Sequence, residues 1–305
     1  MNQVCTVPGR YGTIAYWAND YVIGRIVSTY GEWYEREVDI FRLYCGRNDT
    51  CVDVGANIGT HTLALANIVG PKGRVVSIEP QRPMFMLMCA NAVMNGYLQV
   101  EPFRAVAGKA CHRMNYAVVR YDEENSFGGY DTRLQAAMAP GHVNEALETV
   151  TIDYLSCYKA KLIKIDVEGS ECNVIWGAEK TLKLARPVLY VENDRVENSK
   201  ELIIALRALD YKLYWHLPAS FNPDNFAGSK EILHEVGMVY TRGQYWVNGL
   251  AVNLLCLPDG KELPLPPDVL EVGNDDEHPC LPKDRQRLVP NLKELIDAND
   301  VARVE

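Results

Sequence analysis

From Thr50 onward, short apolar runs alternate with stretches of helical spacing, and only short turns separate them. Thr50–Val54, Arg74–Ile78, Leu98–Phe103, Leu162–Ile165 and Pro187–Val191 have the length and composition of strands. Thr60–Val69, Met84–Met94, Glu171–Leu184 and Ser199–Leu209 read as helices between and after them. Several of the strands are apolar on both faces. That pattern belongs to a sheet covered by helices on each side, and such sheets are parallel. Right-handed crossovers then make it an open, doubly wound, mostly parallel α/β sheet of the Rossmann-like kind.

Composition narrows the options further. The chain has 305 residues, 48% of them apolar and 23% charged, the balance of a folded globular protein. Its formal net charge of −9 argues against nucleic acid as the main partner, since phosphate neutralisation needs clustered Lys and Arg. Small molecules, glycans and peptides remain open. No apolar run approaches the ~18 residues of a membrane span, and Met1–Arg10 lacks the build of a leader. Nine cysteines occur without a CxxC pair, most inside apolar segments. Buried thiols in a reducing compartment are expected, and the chain reads as cytoplasmic.

Three regions differ in texture. Residues 1–47 form an extension rich in aromatics (Tyr16, Trp17, Tyr21, Tyr30, Trp33, Tyr34), with helical spacing over Glu32–Cys45. It is expected to pack on the following domain as a helix; a cap over the substrate is the sharper alternative. Residues 48–257 form the central domain, with insertions near 105–150 and 218–245. The first insertion predicts a hairpin plus a loop, and the second a short helix near Lys230–Val236. Tyr211–Leu217 and Leu250–Leu257 are further strand candidates. Residues 258–305 carry seven prolines and the acid run Asp275–Glu277. An extended arm and a helix over Asn291–Ala298 are expected there. This tail and the aromatic extension offer surface for a homodimer, or cover a monomer.

The chemistry centres on Asp53-Val54-Gly55-Ala56-Asn57-Ile58-Gly59, at the end of the first central strand. Two glycines four apart permit a tight turn and close ligand approach. The next helix begins there, so its free N–H groups face the ligand. Ile58 stands where a dinucleotide fingerprint needs glycine, and the P-loop ending is absent. Glu79 ends the second strand, 20 residues after Gly59. A carboxylate at that place accepts hydrogen bonds from vicinal ribose hydroxyls. Turn, helix, strand and acid together specify an adenosyl group without a pyrophosphate cradle. The ligand of that description is S-adenosylmethionine.

These segments resemble a family. DVGANIGTHTLALA, then VVSIEPQRPMF with Asn91 and Asn95 downstream, then LIKIDVEGSECNVIWGAEKTL, are similar to the FkbM-type methyltransferases, class I enzymes that use S-adenosylmethionine. The resemblance covers about residues 49–192, with a weaker echo at Asn253-Leu254-Leu255. It implies that Asp53, Gly55, Ala56, Asn57 and Gly59 line the methionine end of the cofactor. It places Glu79 on the ribose and Ala105 and Val106 beside adenine. Asp166 closes the fourth strand; it holds the methionine amino group, orients the acceptor, or caps the next helix.

Methyl transfer from a sulfonium needs alignment, exclusion of water and removal of a proton. Candidate bases are Glu168, Asp166 and His216, with Glu171 and Glu192 behind them; Glu168 lies nearest the cofactor-facing strand end. A packed role is the commoner one for a histidine like His216. Asp166 with Glu192-Asn193-Asp194 offers oxygen ligands suited to magnesium. A polar rim explains them equally, and no metal is expected. The function expected is O-methylation of a small molecule, glycan or secondary-metabolite intermediate, with N-methylation of a peptide side chain as the alternative. A nicotinamide-dependent oxidoreductase is disfavoured by Ile58, and a non-catalytic cofactor-binding protein by the intact glycines and acids.

Overall fold

The computed structural model describes residues 3–118, 121, 124–129, 144–234, 237–241, 244–273 and 278–280. The aromatic extension does more than supply one helix. It opens with an antiparallel hairpin of β1 (Val4–Gly9) and β2 (Gly12–Trp17). Two helices follow, α1 (Ile23–Tyr30) and α2 (Glu35–Tyr44). The central repeat then runs β3 (Thr50–Val54), α3 (Thr60–Val69), β4 (Arg74–Ile78), α4 (Arg82–Met94) and β5 (Val100–Phe103).

The first insertion is a three-stranded sheet rather than a hairpin alone. β6 (Val106–Ala107) runs parallel to β8 (Asn144–Val150), which pairs antiparallel with β7 (His112–Ala117). Next come β9 (Ala160–Ile165), α5 (Glu171–Trp176) and α6 (Glu179–Ala185). The single helix expected over Glu171–Leu184 is therefore broken. Asp153 explains the break: its backbone N–H donates to the Gly177 carbonyl at 3.1 Å. Its carboxylate accepts the N–H groups of Lys180 and Thr181 at 2.9 and 2.7 Å, capping α6.

The chain continues through β10 (Val188–Glu192), α7 (Val196–Arg207) and β11 (Tyr211–His216). The second insertion holds a hairpin of β12 (Gly237–Thr241) and β13 (Gln244–Asn248). Residues 230–234 are not helical, so the helix expected there is absent from the described part. β14 (Asn253–Pro258) and β15 (Val269–Glu271) complete the set. The proline-rich tail thus supplies a strand; the helix expected over Asn291–Ala298 lies outside the described residues. No described helix is long and apolar enough to cross a membrane.

The main sheet has eight strands in the order β15-β11-β14-β10-β9-β3-β4-β5. Pairing is parallel from β10 to β5 and antiparallel on both sides of β14. Strand order reverses between β3 and β9, which opens a crevice at the carboxyl ends. Alternation along the strands divides the core. Val52, Val54, Ile163 and Ile165 face one side with Val174, Leu182 and Leu202. Cys51, Leu162 and Tyr190 face the other, under Val38, Phe41, Ala64 and Leu65.

The hairpin is tied down by two asparagines one helical turn apart, Asn91 on α4 and Asn95 at its C-terminal cap. Asn95 accepts from Thr13 N–H at 2.8 Å and donates to its carbonyl at 2.7 Å. Asn91 does the same to Ala15 at 2.7 and 3.0 Å. Thr13 and Ala15 share one edge of β2, so the two amides complete that edge as a strand would. Asn91 is fully buried and also donates to the Ile58 carbonyl at 2.8 Å, inside the glycine turn. Asn91→Ala leaves three buried backbone groups unpaired. It is expected to cost about 1–3 kcal/mol, read as a lower urea midpoint.

Candidate active site

The crevice at the strand ends holds a cavity of about 250 Å³. Its floor is the turn after β3. Gly55 and Ala56 donate their N–H groups to the Ile78 carbonyl, both at 3.0 Å, which locks the turn to β4. Gly55 has φ of 78°, and a Cβ there would lie 1.7 Å from the Asp166 carbonyl oxygen. The glycine is required by the approach of the next strand end, a stronger constraint than ligand access. Gly59 has φ of 87° and its Cβ position lies 2.9 Å from Met88, so it serves the packing of α3 on α4.

Glu79 lines the cavity and is 3% exposed. One carboxylate oxygen accepts Asn57 N–H at 2.8 Å, the other Gln81 N–H at 2.7 Å. Burial pushes its pKa up, against those two bonds, to about 7. Val106, Ala107, Ile78 and Pro80 form the apolar part of the wall. Among the other expected cofactor residues, Gly55, Ala56, Asn57 and Asp166 line the cavity, while Asp53, Gly59 and Ala105 lie behind it. Asp53 is fully buried, accepts the Thr62 hydroxyl at 2.6 Å, and stands 3.5 Å from the Lys164 ammonium.

Lys164 was not singled out by sequence reasoning, although a lysine inside the apolar run AKLIKI was a visible signal. It shares a strand face with Leu162 and so points toward α2 and α3. Its ammonium donates to the Gly55 carbonyl at 3.2 Å and lies 3.2 Å from Asp166. Burial opposes the charge, but Asp166, Asp53 and Glu37 outweigh it and hold the pKa above the usual lysine value.

The acids at the far rim are linked. Glu168 and Asp166 line the cavity together with Glu192. Glu168 has a left-handed backbone, φ 55°, and its carboxylate pairs with Arg195, which also holds Asp194. Burial and the neighbouring Asp194 push the Glu168 pKa well up despite Arg195. Burial, Asp166 and Asp194 do the same to Glu192. Glu171 accepts the N–H groups of Val167 and Gly169 at 3.2 and 2.9 Å, so it shapes the loop. His216 lies away from the cavity. It is 1% exposed, 2.7 Å from the Tyr190 hydroxyl and 3.4 Å from Asp268. The grouping of Asp166, Glu168 and Glu192 brings one oxygen from each within 4.8 Å; it differs from the set with Asn193 and Asp194 that the sequence analysis weighed against a polar rim.

The N-terminal extension completes the site. Val22, Ile23 and Trp33 line the cavity, as does His61 from α3. His61 is 3% exposed, and its Nε2 stands 3.3 Å from Glu37 of α2. Burial and Lys164 drive its pKa well down, and burial raises that of Glu37 to about 8. Glu37 was missed because helical periodicity reads it as solvent-facing.

A Rossmann-like sheet with its cavity at the switch point, a glycine turn and an acid ending the second central strand defines the class I methyltransferase fold. The sequence profile described as the methyltransferase FkbM domain matches residues 53–213, more than half of the chain. The chain belongs to the FkbM methyltransferase family and is an enzyme. Among solved structures it is similar to methyltransferase FkbM from Methylobacillus flagellatus, at 19% identity and TM-score 0.38. That match covers 67% of this chain and only 43% of the other. It is also similar to a SAM-dependent O-methyltransferase from Thermotoga maritima (11%, TM-score 0.42, 85% and 79% covered). A third is M. jannaschii TYW2 in complex with AdoMet (12%, TM-score 0.40, 84% and 87% covered). No curated protein matches the chain.

The raised carboxyl groups set a pH dependence. Glu37 (about 8), Glu79 and Glu171 (about 7) keep their protons in the fold to higher pH than in the unfolded chain. Their stabilising effect is complete below the ordinary carboxylate range and is lost as pH rises through those values. Below the ordinary histidine value of 6.5, buried His61 and His278 act in the opposite sense. The ligand-free protein is therefore expected to lose thermal stability from about pH 6.5 to 8, as followed by calorimetric midpoint.

Proposed function

We propose that the protein binds S-adenosylmethionine in the 250 Å³ cavity and transfers its methyl group to an oxygen of a small molecule, glycan or secondary-metabolite intermediate. The observation that carries this is the Glu79 carboxylate at the end of β4, buried yet lining the cavity. Each of its oxygens accepts one backbone N–H and keeps a free lone pair. A vicinal diol satisfies that pair, and the wall of Ile78, Pro80 and Val106 suits an apolar purine face. At the other end, Glu192 has a buried carboxylate oxygen with no hydrogen-bond partner, which fits a cationic or donor-bearing ligand.

When bound, the cofactor supplies a methyl group already activated by positive charge on sulfur. The residues have only to align the acceptor, exclude water and take a proton. Val22, Ile23 and Trp33 wall the cavity from the N-terminal side. Asp166, held by Lys164, presents a fixed carboxylate at the end of β9. Glu168 is the group proposed to accept the acceptor's proton, oriented by Arg195. His216 has no place in this scheme, because its ring is enclosed by Tyr190 and Trp215's strand rather than by the cavity.

Binding of S-adenosylhomocysteine by calorimetry tests the cofactor assignment directly. Glu79→Ala is expected to weaken it by about 1–3 kcal/mol; unchanged affinity would remove the ribose role. The diol must donate to an ionised carboxylate, so affinity is also expected to fall as pH drops below about 7 and Glu79 takes up a proton. A flat profile between pH 6 and 8 counts against the contact.

A further inference from the structure

A second, smaller chamber of about 160 Å³ adjoins the first, and Trp33, Asp166 and Glu192 line both. Its own walls come largely from outside the family's matched span of 53–213. Tyr34 and Glu37 descend from the N-terminal extension, and residues 250–253 with Cys280 close the far side. Tyr34 adopts a left-handed backbone, φ 41°, which is costly for a bulky residue and places it beside Trp33. The two rings meet edge to face with centroids 4.9 Å apart.

The unpaired polar atoms of this chamber are carboxylate oxygens. Glu37, 5% exposed, is oriented by Asn253, whose amide donates to it at 2.9 Å. Glu192 Oε2 and Asp194 Oδ1 are buried with no hydrogen-bond partner. In the first cavity, 3.3 Å from Glu37, His61 Nε2 is likewise without a hydrogen bond on a side chain that is 3% exposed. No lysine or arginine lines the chamber among the described residues. Asp166 is offset by Lys164 and Asp194 by Arg195, whereas Glu192 has no cation of its own among them. Buried acceptors without donors, beside an electron-rich ring pair, call for a ligand that brings both hydrogen-bond donors and positive charge. A neutral hydroxyl brings donors but leaves the carboxylates' mutual repulsion in place.

We propose that this second chamber is the acceptor's recognition subsite and that it takes a protonated amine carried by the acceptor, with the methylated atom lying at the junction marked by Trp33, Asp166 and Glu192. The inference rests on the methyltransferase reading above for the word acceptor, but the chamber exists independently of the cofactor. It excludes acceptors whose inserted end is a carboxylate or phosphate. It also makes the specificity a joint property of the N-terminal extension, residues 250–253 and the acids of the matched domain.

The test uses the full chain and three probes of similar length: 1,4-diaminobutane, 1,4-butanediol and succinate. Each is titrated calorimetrically in mildly alkaline buffer, where the diamine stays protonated and succinate is fully ionised. The titrations are run on the free protein and after saturation with S-adenosylhomocysteine. The diamine is expected to bind about tenfold tighter than the diol, with no binding of succinate. Glu37→Gln and Asp194→Asn, confined to this chamber, are each expected to weaken the diamine by about tenfold, folding being checked by circular dichroism. Two variants keep the test open if one fails to fold. Equal or tighter binding of the diol, absence of diamine binding, or diamine affinity unaltered in the folded variants overturns the subsite. Failure of S-adenosylhomocysteine to bind strikes the cofactor assignment alone, because the free-protein titrations still decide the subsite.

Discussion

A single buried ammonium organises the catalytic end of this molecule. Lys164 stands among Asp53, Asp166 and Glu37 and donates to the Gly55 carbonyl. Taking such a charge out of water costs several kcal/mol, so it survives only where anions and a carbonyl surround it. Each partner comes from a different element: the end of β3, the end of β9, the turn after β3, and α2. The lysine thereby fixes the distance between the glycine turn and the acid-bearing loop. Removing it would leave carboxylates facing one another with nothing between them.

The same logic joins the N-terminal extension to the domain. Asn91 and Asn95 hold the hairpin through β2, and Asn91 continues into the glycine turn. On the opposite side Glu37 meets His61 and Asn253. Asn253 also donates to the Tyr190 hydroxyl at 3.0 Å, and that hydroxyl contacts His216. The extension is therefore held at both ends by buried polar contacts, which are directional in a way apolar packing is not. That explains how residues distant in sequence can wall a cavity with defined geometry.

The repeating part of the fold was legible because its signals are local. Apolar runs ending in Asp53, Glu79, Asp166 and Glu192 mark strand ends, and Gly55 and Gly59 mark the turn. What was not legible depends on neighbours far along the chain. Asp153 splits α5 from α6 from twenty-four residues before the break begins. β15 forms because β11 offers an open edge, which nothing in the proline-rich segment announces. Glu37 occupies a helix position that ordinarily faces water, and only the presence of Lys164 and Asn253 makes its burial tolerable. Gly55 was visible, but its reason was not: the obstruction is the Asp166 carbonyl rather than a ligand.

These observations give the site an electrostatic character that a parallel sheet alone would not confer. Helix N-termini at the crevice present N–H groups and favour negative charge. Here the strand ends and α2 reverse that balance with Asp166, Glu168, Glu192, Asp194 and Glu37, for which Lys164 and Arg195 provide only part of the compensation. Burial then pushes Glu37, Glu192 and Glu168 toward their protonated forms, with repulsion between neighbouring acids acting in the same direction. A cation entering the crevice reverses that tendency, since it favours the ionised carboxylates and releases their protons. The chain thus spends some of its own stability on acids that only a positively charged ligand satisfies, which is the arrangement a sulfonium donor and an amine-bearing acceptor would both exploit.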